Sequence, residues 1–168
     1  KPLDIQAAIG RQQLKKFPSF VEARIKNWEF LRRALADCED VLDFMLPANA
    51  LSWSREGFSW AEGRPEARPS WFAFMMLVKP NAPCSRTELA QALDEAKIGN
   101  RMFFGGNLVR QPAFVQLRKD TGGQGFRVLG DLANADRVMN QGLFVGTYPG
   151  LSEPMLEHIA ATIRRAMG

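Results

Sequence analysis

Between Arg101 and Phe114 the chain reads RMFFGGNLVRQPAF, and most of its chemistry-capable side chains gather there. Arg101 and Arg110 carry forked donors suited to phosphate or carboxylate, and Asn107 and Gln111 each supply donors and acceptors. Gly105-Gly106 can turn sharply or bring backbone close to a ligand. Pro112 biases Gln111 away from the helical region. Two readings stand: a plain turn bearing two surface arginines, or a loop presenting polar groups to a sugar or phosphate. Met102-Phe103-Phe104, just before it, reads as a buried strand end.

Other chemistry is sparse. No Gly-x-Ser-x-Gly elbow, phosphate loop or dinucleotide glycine fingerprint is present. The one histidine, His158, falls within a helical pattern as a surface or cap-region residue. Asp37, Glu39 and Asp40 read as a solvated helix end. Cys38 and Cys84 are far apart and form no CxxC, so no metal site is expected and the usage suits a reducing cytoplasm. No catalytic residue is expected in this chain, and any reactive group would lie elsewhere in a parent protein.

The elements that must position the loop follow from spacing. Asp4 is placed to cap a helix running to about Lys16, with Pro18 interrupting and Ser19 capping a second helix. That second helix carries the stripe Val21, Ile25, Trp28, Leu31, Leu35. Val41 to Leu46 is a short strand. Residues 47–70 look irregular, yet Trp53, Phe58 and Trp60 suggest a packed loop over a site. Trp71 to Val78 is nearly continuous in apolar residues and predicts a central strand covered on both faces. Ser85 and Glu88 form a capping box before the stripe Leu89, Leu93, Ala96. Residues 117–125 read as a mobile hairpin or loop, Asn134 as the cap of a short helix, and Leu143 to Val145 as a strand. Ser152 is placed to cap a last helix with Pro154 in its first turn and Met155, Ile159 and Ile163 on its apolar face. This order predicts a two-layer α/β sandwich, a small and mostly antiparallel sheet with helices on one face.

At 168 residues the chain is most simply one domain, 1–168. Its hydrophobic share of 46% and charged share of 24% suit a globular protein. A net charge of +4 with interspersed acids disfavours nucleic acid, and no apolar run reaches transmembrane length, so no membrane partner is expected. The start at Lys1, without methionine and straight into a helical pattern, reads as a piece of a longer protein.

Three motifs in register carry a family resemblance. Asp4-Ile5-Gln6-Ala7-Ala8-Ile9-Gly10 with Gln13-Leu14, then Gln111-Pro112-Ala113-Phe114, then Tyr148-Pro149-Gly150-Leu151-Ser152-Glu153 resemble the DegT/StrS-type nucleotide-sugar aminotransferases. Gly105-Gly106-Asn107-Leu108, Arg110 to Ala113, Gly130-Asp131-Leu132 and Asn134 to Met139 are similar to the CDP-4-keto-6-deoxyglucose 3-dehydrase subgroup. Val109 stands where the aminotransferases usually carry histidine.

The resemblance implies the small C-terminal domain of the aspartate aminotransferase fold (fold type I). Residues 1–37 would then be helices linking to a cofactor domain upstream, with the apolar face of the first helix against that domain or another copy. It implies a homodimeric parent of lipopolysaccharide sugar synthesis that uses pyridoxal or pyridoxamine phosphate (PLP or PMP), and in the dehydrase an iron–sulfur cluster. A histidine replaces the Schiff-base lysine there, and all these groups lie before Lys1. Neither cysteine here matches the cluster pattern, so this chain alone would hold no cofactor and be inactive. Arg101, Asn107, Arg110 and Gln111 would contact the nucleotide-diphosphate sugar, with a structural ion pair as the plain reading of Arg101 and packing as that of Tyr148. The alternatives are the same domain of a true aminotransferase and a non-catalytic α/β binding or dimerisation module.

Overall fold

The computed structural model describes residues 3–168. Helix α1 runs unbroken from Asp4 to Ala34 with Pro18 inside it, where two helices were expected. Pro18 removes one backbone donor, but residues 3–20 are exposed throughout, so the freed carbonyl remains open to water. Ser19 donates its hydroxyl to the Lys16 carbonyl (2.7 Å) instead of capping a new helix. Asp4 is the first helical residue and not the cap; Gln6 Oε1 accepts from the Leu3 N–H at 2.8 Å.

Strands β1 (Leu42–Phe44), β4 (Ala73–Val78), β5 (Asn100–Met102) and β6 (Gly142–Gly146) make one antiparallel sheet in the order β1-β4-β6-β5. Alternation puts Phe74, Met76 and Val78 of β4 on one face with Leu143 and Val145 of β6. Those residues form a single core with Trp28, Leu31 and Leu35 of α1, with Leu89 and Leu93 of α2 (Arg86–Glu95), and with Leu156, Ile159 and Ile163 of α5 (Glu153–Met167). The other face carries Arg101, Phe144 and Met75. Its Leu77–Gly142 end is met by α4 (Ala133–Gln141), whose Arg137 pairs with Asp43, although helices were expected on one face only.

Segment 47–70 is not irregular. Strands β2 (Ala50–Ser54) and β3 (Gly57–Trp60) form a hairpin. Trp53 pairs across from Phe58, and their rings meet Trp28 at centroid distances of 5.8 and 5.5 Å. On the opposite side the Ser52 and Ser59 hydroxyls bond at 2.6 Å. Half of this pattern is polar, which hid the strand alternation beneath the prolines and glycines at its ends.

The expected loop at 117–125 begins as helix: α3 spans Pro112–Asp120, with Pro112 in its first turn. Gly122 and Gly123, at φ of 58° and 91°, then reverse the chain. In α2 the capping box forms, with Glu88 N–H donating to Ser85 Oγ and Ser85 N–H to Glu88 Oε2. Ser152 precedes α5 as expected, but its hydroxyl makes no cap bond. Leu132, in the left-handed region, precedes α4 in place of Asn134, and Asp131 Oδ1 accepts from the Ala133 N–H.

Candidate functional site

The sheet delivers the loop. β5 ends at Met102, and the chain turns through Phe104 (φ 45°) and Gly106 (φ 58°) into a 3-10 turn at Leu108–Arg110 and then α3. Phe104 is 81% exposed, not the buried strand end expected of it.

Asn107, Arg110 and Gln111, expected at the nucleotide-diphosphate sugar, come together mostly around one another. Asn107 is only 3% exposed. Its Oδ1 accepts from the Val109 N–H (3.3 Å) and its Nδ2 donates to Asp136 Oδ1 (2.8 Å). Arg110 grips the same carboxylate with two prongs, Nε to Oδ1 at 2.9 Å and Nη2 to Oδ2 at 2.6 Å. Gln111 Nε2 donates to the Gly105 carbonyl at 2.6 Å and closes the loop. Asp136, on α4, is therefore the hub. The sequence shows it only within a motif; its role depends on a partner 26 residues away, a pairing no local pattern displays.

The hub is electrostatically set. Hydrogen bonds from Arg110 and then from Asn107 hold the Asp136 carboxyl down at about 2, and the same pairing raises the Arg110 guanidinium further. A carboxyl depressed in the folded state contributes stability above its ordinary value near 4, and that contribution is lost as pH falls through the folded value. Amide-exchange protection at Gly106 and Arg110 is thus expected to hold at pH 5 and to fall away between about pH 4 and 2. Asp136→Asn should leave the same amides weakly protected at every pH. Protection in the native chain that stays flat to pH 2 would remove Asp136 as the hub.

Arg101 sits apart from this clamp, on β5 opposite Phe144. Its Nη1 bonds the Asn100 carbonyl (2.8 Å), and among the described residues it makes no ion pair. With Phe72, Met102, Phe104 and Phe144 it lines an open cleft of about 490 Å³. Those phenylalanines did not stand out in the sequence as site residues, because aromatic runs at strand ends ordinarily signal core. Tyr148, expected as packing, lays its ring over Gly150 while most of the residue is exposed, and its carbonyl accepts from Asn27 (2.8 Å) and from the Leu151 N–H (3.1 Å).

The remaining candidates are structural. His158 Nε2 lies 3.0 Å from the Ala96 carbonyl at the surface. Asp37 pairs with Arg164, and Glu39 with Arg32. Burial raises the thiols of both Cys38 and Cys84, the opposite of activation. Among the described residues no three metal-binding side chains cluster. Two separate cysteines with raised thiols do not fit the ligand set of an iron–sulfur cluster.

A family model, DegT/DnrJ/EryC1/StrS aminotransferase family, matches residues 3–164. The chain belongs to this family. Among curated members it is 37% identical over its whole length to the lipopolysaccharide biosynthesis protein RfbH of Salmonella typhimurium, covering 33% of that protein. It is 33% identical to dTDP-4-dehydro-2,6-dideoxy-D-glucose 3-dehydratase of Saccharopolyspora spinosa, over 97% of this chain and 30% of that one. Among solved members, the E. coli GDP-4-keto-6-deoxy-D-mannose-3-dehydratase with bound hydrated PLP superimposes with a TM-score of 0.73 at 26% identity. That superposition covers 97% of this chain and 36% of the other. The chain spans about a third of the length of these DegT-family relatives.

Proposed function

We propose that residues 1–168 act as the small C-terminal domain of a fold type I nucleotide-sugar 3-dehydrase of deoxysugar and lipopolysaccharide synthesis. The observation that carries this is identity above 30%, sustained along the chain, to a lipopolysaccharide biosynthesis protein and to a sugar 3-dehydratase. In this reading the enzyme is a cytoplasmic homodimer, and α1 joins the domain to the part that binds pyridoxamine phosphate and a possible iron–sulfur cluster. The cofactor, once bound there, supplies the electron sink for loss of the sugar's 3-hydroxyl. The present chain supplies orientation.

Arg101 and Arg110 offer guanidinium donors to the diphosphate, while Asn107 and Gln111 fix the loop that carries Arg110. Asp136 occupies two donors of Arg110 and leaves Nη1 without a hydrogen bond among the described residues. A guanidinium so held is aimed before substrate arrives, which lowers the ordering cost of binding.

The test is the full-length protein loaded with pyridoxamine phosphate and given CDP-4-keto-6-deoxyglucose. A product that has lost water supports the dehydrase. An amino sugar formed with glutamate as donor supports the aminotransferase reading, and turnover of neither kind returns the chain to a non-catalytic module. Arg110→Ala should raise KM about 10- to 100-fold, the scale of one charged hydrogen bond. Unchanged KM and kcat would take Arg110 out of the substrate contacts.

A further inference from the structure

The open face of the sheet holds an arrangement that the loop clamp does not use. Phe144, on β6, is met by Phe72 at a centroid distance of 5.7 Å and by Phe104 at 5.8 Å. Phe144 is buried, whereas Phe72 is 61% and Phe104 81% exposed. The three rings therefore make a slot with a buried floor and two solvent-facing walls, and Arg101, on the neighbouring strand β5, lies on the same sheet face as the floor.

Two features separate this slot from an ordinary apolar gap. Phe104 has φ of 45°, a strained conformation for a bulky residue that is kept only where the surroundings impose it. No packing repays that strain, since most of the ring faces water. In addition, Arg101, which makes no ion pair among the described residues, brings a positive charge to the rim. An aromatic box alone would suit an organic cation. The guanidinium repels a cation and attracts phosphate, so a flat, anionic ligand fits both parts.

We propose that Phe72, Phe104 and Phe144 form the nucleobase subsite of this protein, with the base stacked on Phe104 and Arg101 on the adjoining phosphate. The proposal rests on the nucleotide-sugar reading above and deepens it by assigning the base to a particular slot. Sequence-tolerant stacking gives the base affinity at this position.

The experiment uses the full-length protein and CDP, dTDP and GDP as probes in calorimetric titrations, with glucose 1-phosphate as the base-free control. Phe104→Gly is the decisive variant, because glycine adopts positive φ freely and the substitution removes an exposed ring without straining the fold. Its melting temperature should equal or exceed that of the parent protein. Its affinity for the tightest of the three nucleotides should fall about 5- to 150-fold, the range of one base–aromatic stack, with glucose 1-phosphate unaffected. Nucleotide affinity unchanged in Phe104→Gly overturns the subsite while leaving the nucleotide-sugar reading intact. A melting temperature lowered by several degrees overturns it as well, because the ring would then be packed against another part of the whole protein. If the unaltered protein binds none of the three nucleotides, the nucleotide-sugar reading itself fails, and the subsite with it.

Discussion

Trp28→Ala is expected to lower the free energy of unfolding by about 3–5 kcal/mol, the range for deleting a large aromatic side chain from a packed core. Trp28 is 1% exposed and lies where three separate parts of the chain converge. Its ring stacks on Trp71 at 4.5 Å with planes 7° apart, takes Trp53 edge-on, and touches Phe58 and Phe74. The substitution therefore removes more than its own burial. Trp53 and Phe58 face the core through Trp28, so the β2–β3 hairpin loses its main support. The midpoint of urea unfolding should fall with little change in slope, and the near-ultraviolet signal of the three remaining tryptophans should weaken. A loss below about 1 kcal/mol would mean that the hairpin closes over the gap.

The second large effect lies in the loop. Gly106→Val is expected to cost about 2–5 kcal/mol from two additive causes. Gly106 has φ of 58°, a region that costs an L-residue roughly 1–2 kcal/mol and a β-branched one more. A Cβ there would also stand 2.5 Å from Met139 Cγ and 2.9 Å from Met139 Cβ, close to the α4 backbone, where the side chain has little freedom to yield. Overpacking of that kind costs about 1–3 kcal/mol. Since Asn107 and Arg110 reach Asp136 on the same helix, the displacement should break the clamp as well. Retained amide protection at Arg110, or a stability change under about 1 kcal/mol, would show that α4 moves with the loop as one piece.

What the sequence disclosed was local. The β4 run is apolar at nearly every position, and a strand between two neighbours in a sheet needs that. Ser85 and Glu88 meet across one turn, so α2 announces its own start. Pro112 restricts its neighbour through covalent geometry, and Gln111 is extended at ψ of 144° as that restriction requires. Where the reading failed, distance decided. Pro18 breaks a helix by the local rule, but residues on both sides keep helical geometry and the solvent-facing half tolerates one missing bond. Trp53 and Phe58 became strand residues because Trp28 waits for them. The carboxylate that organises the loop belongs to Asp136, within a motif that reads as an ordinary helix start.

The family motifs carried information of another kind. Gly105 to Ala113 and Asn134 to Met139 were noted as separate matches, and in three dimensions they are the two sides of one contact. Asn107 and Arg110 come from the first and Asp136 from the second. A resemblance spread over two stretches of chain was thus a trace of a single clamp.

Helix α1 is about 46 Å long, at 1.5 Å per residue. Its C-terminal half is anchored in the core through Trp28 and Leu31, whereas Leu3, Ile5, Ile9, Leu14 and Phe17 stand in water. An uncovered helical arm of this length is marginal on propensity alone, and Pro18 weakens its link to the anchored half. The two halves therefore behave as a gauge and its reference mark. Isotope exchange in the Trp28 half follows global unfolding, while exchange in the Ile5–Phe17 half follows whatever covers that face. The ratio of the two rates reads out assembly directly, in any preparation, with no substrate, cofactor or turnover required.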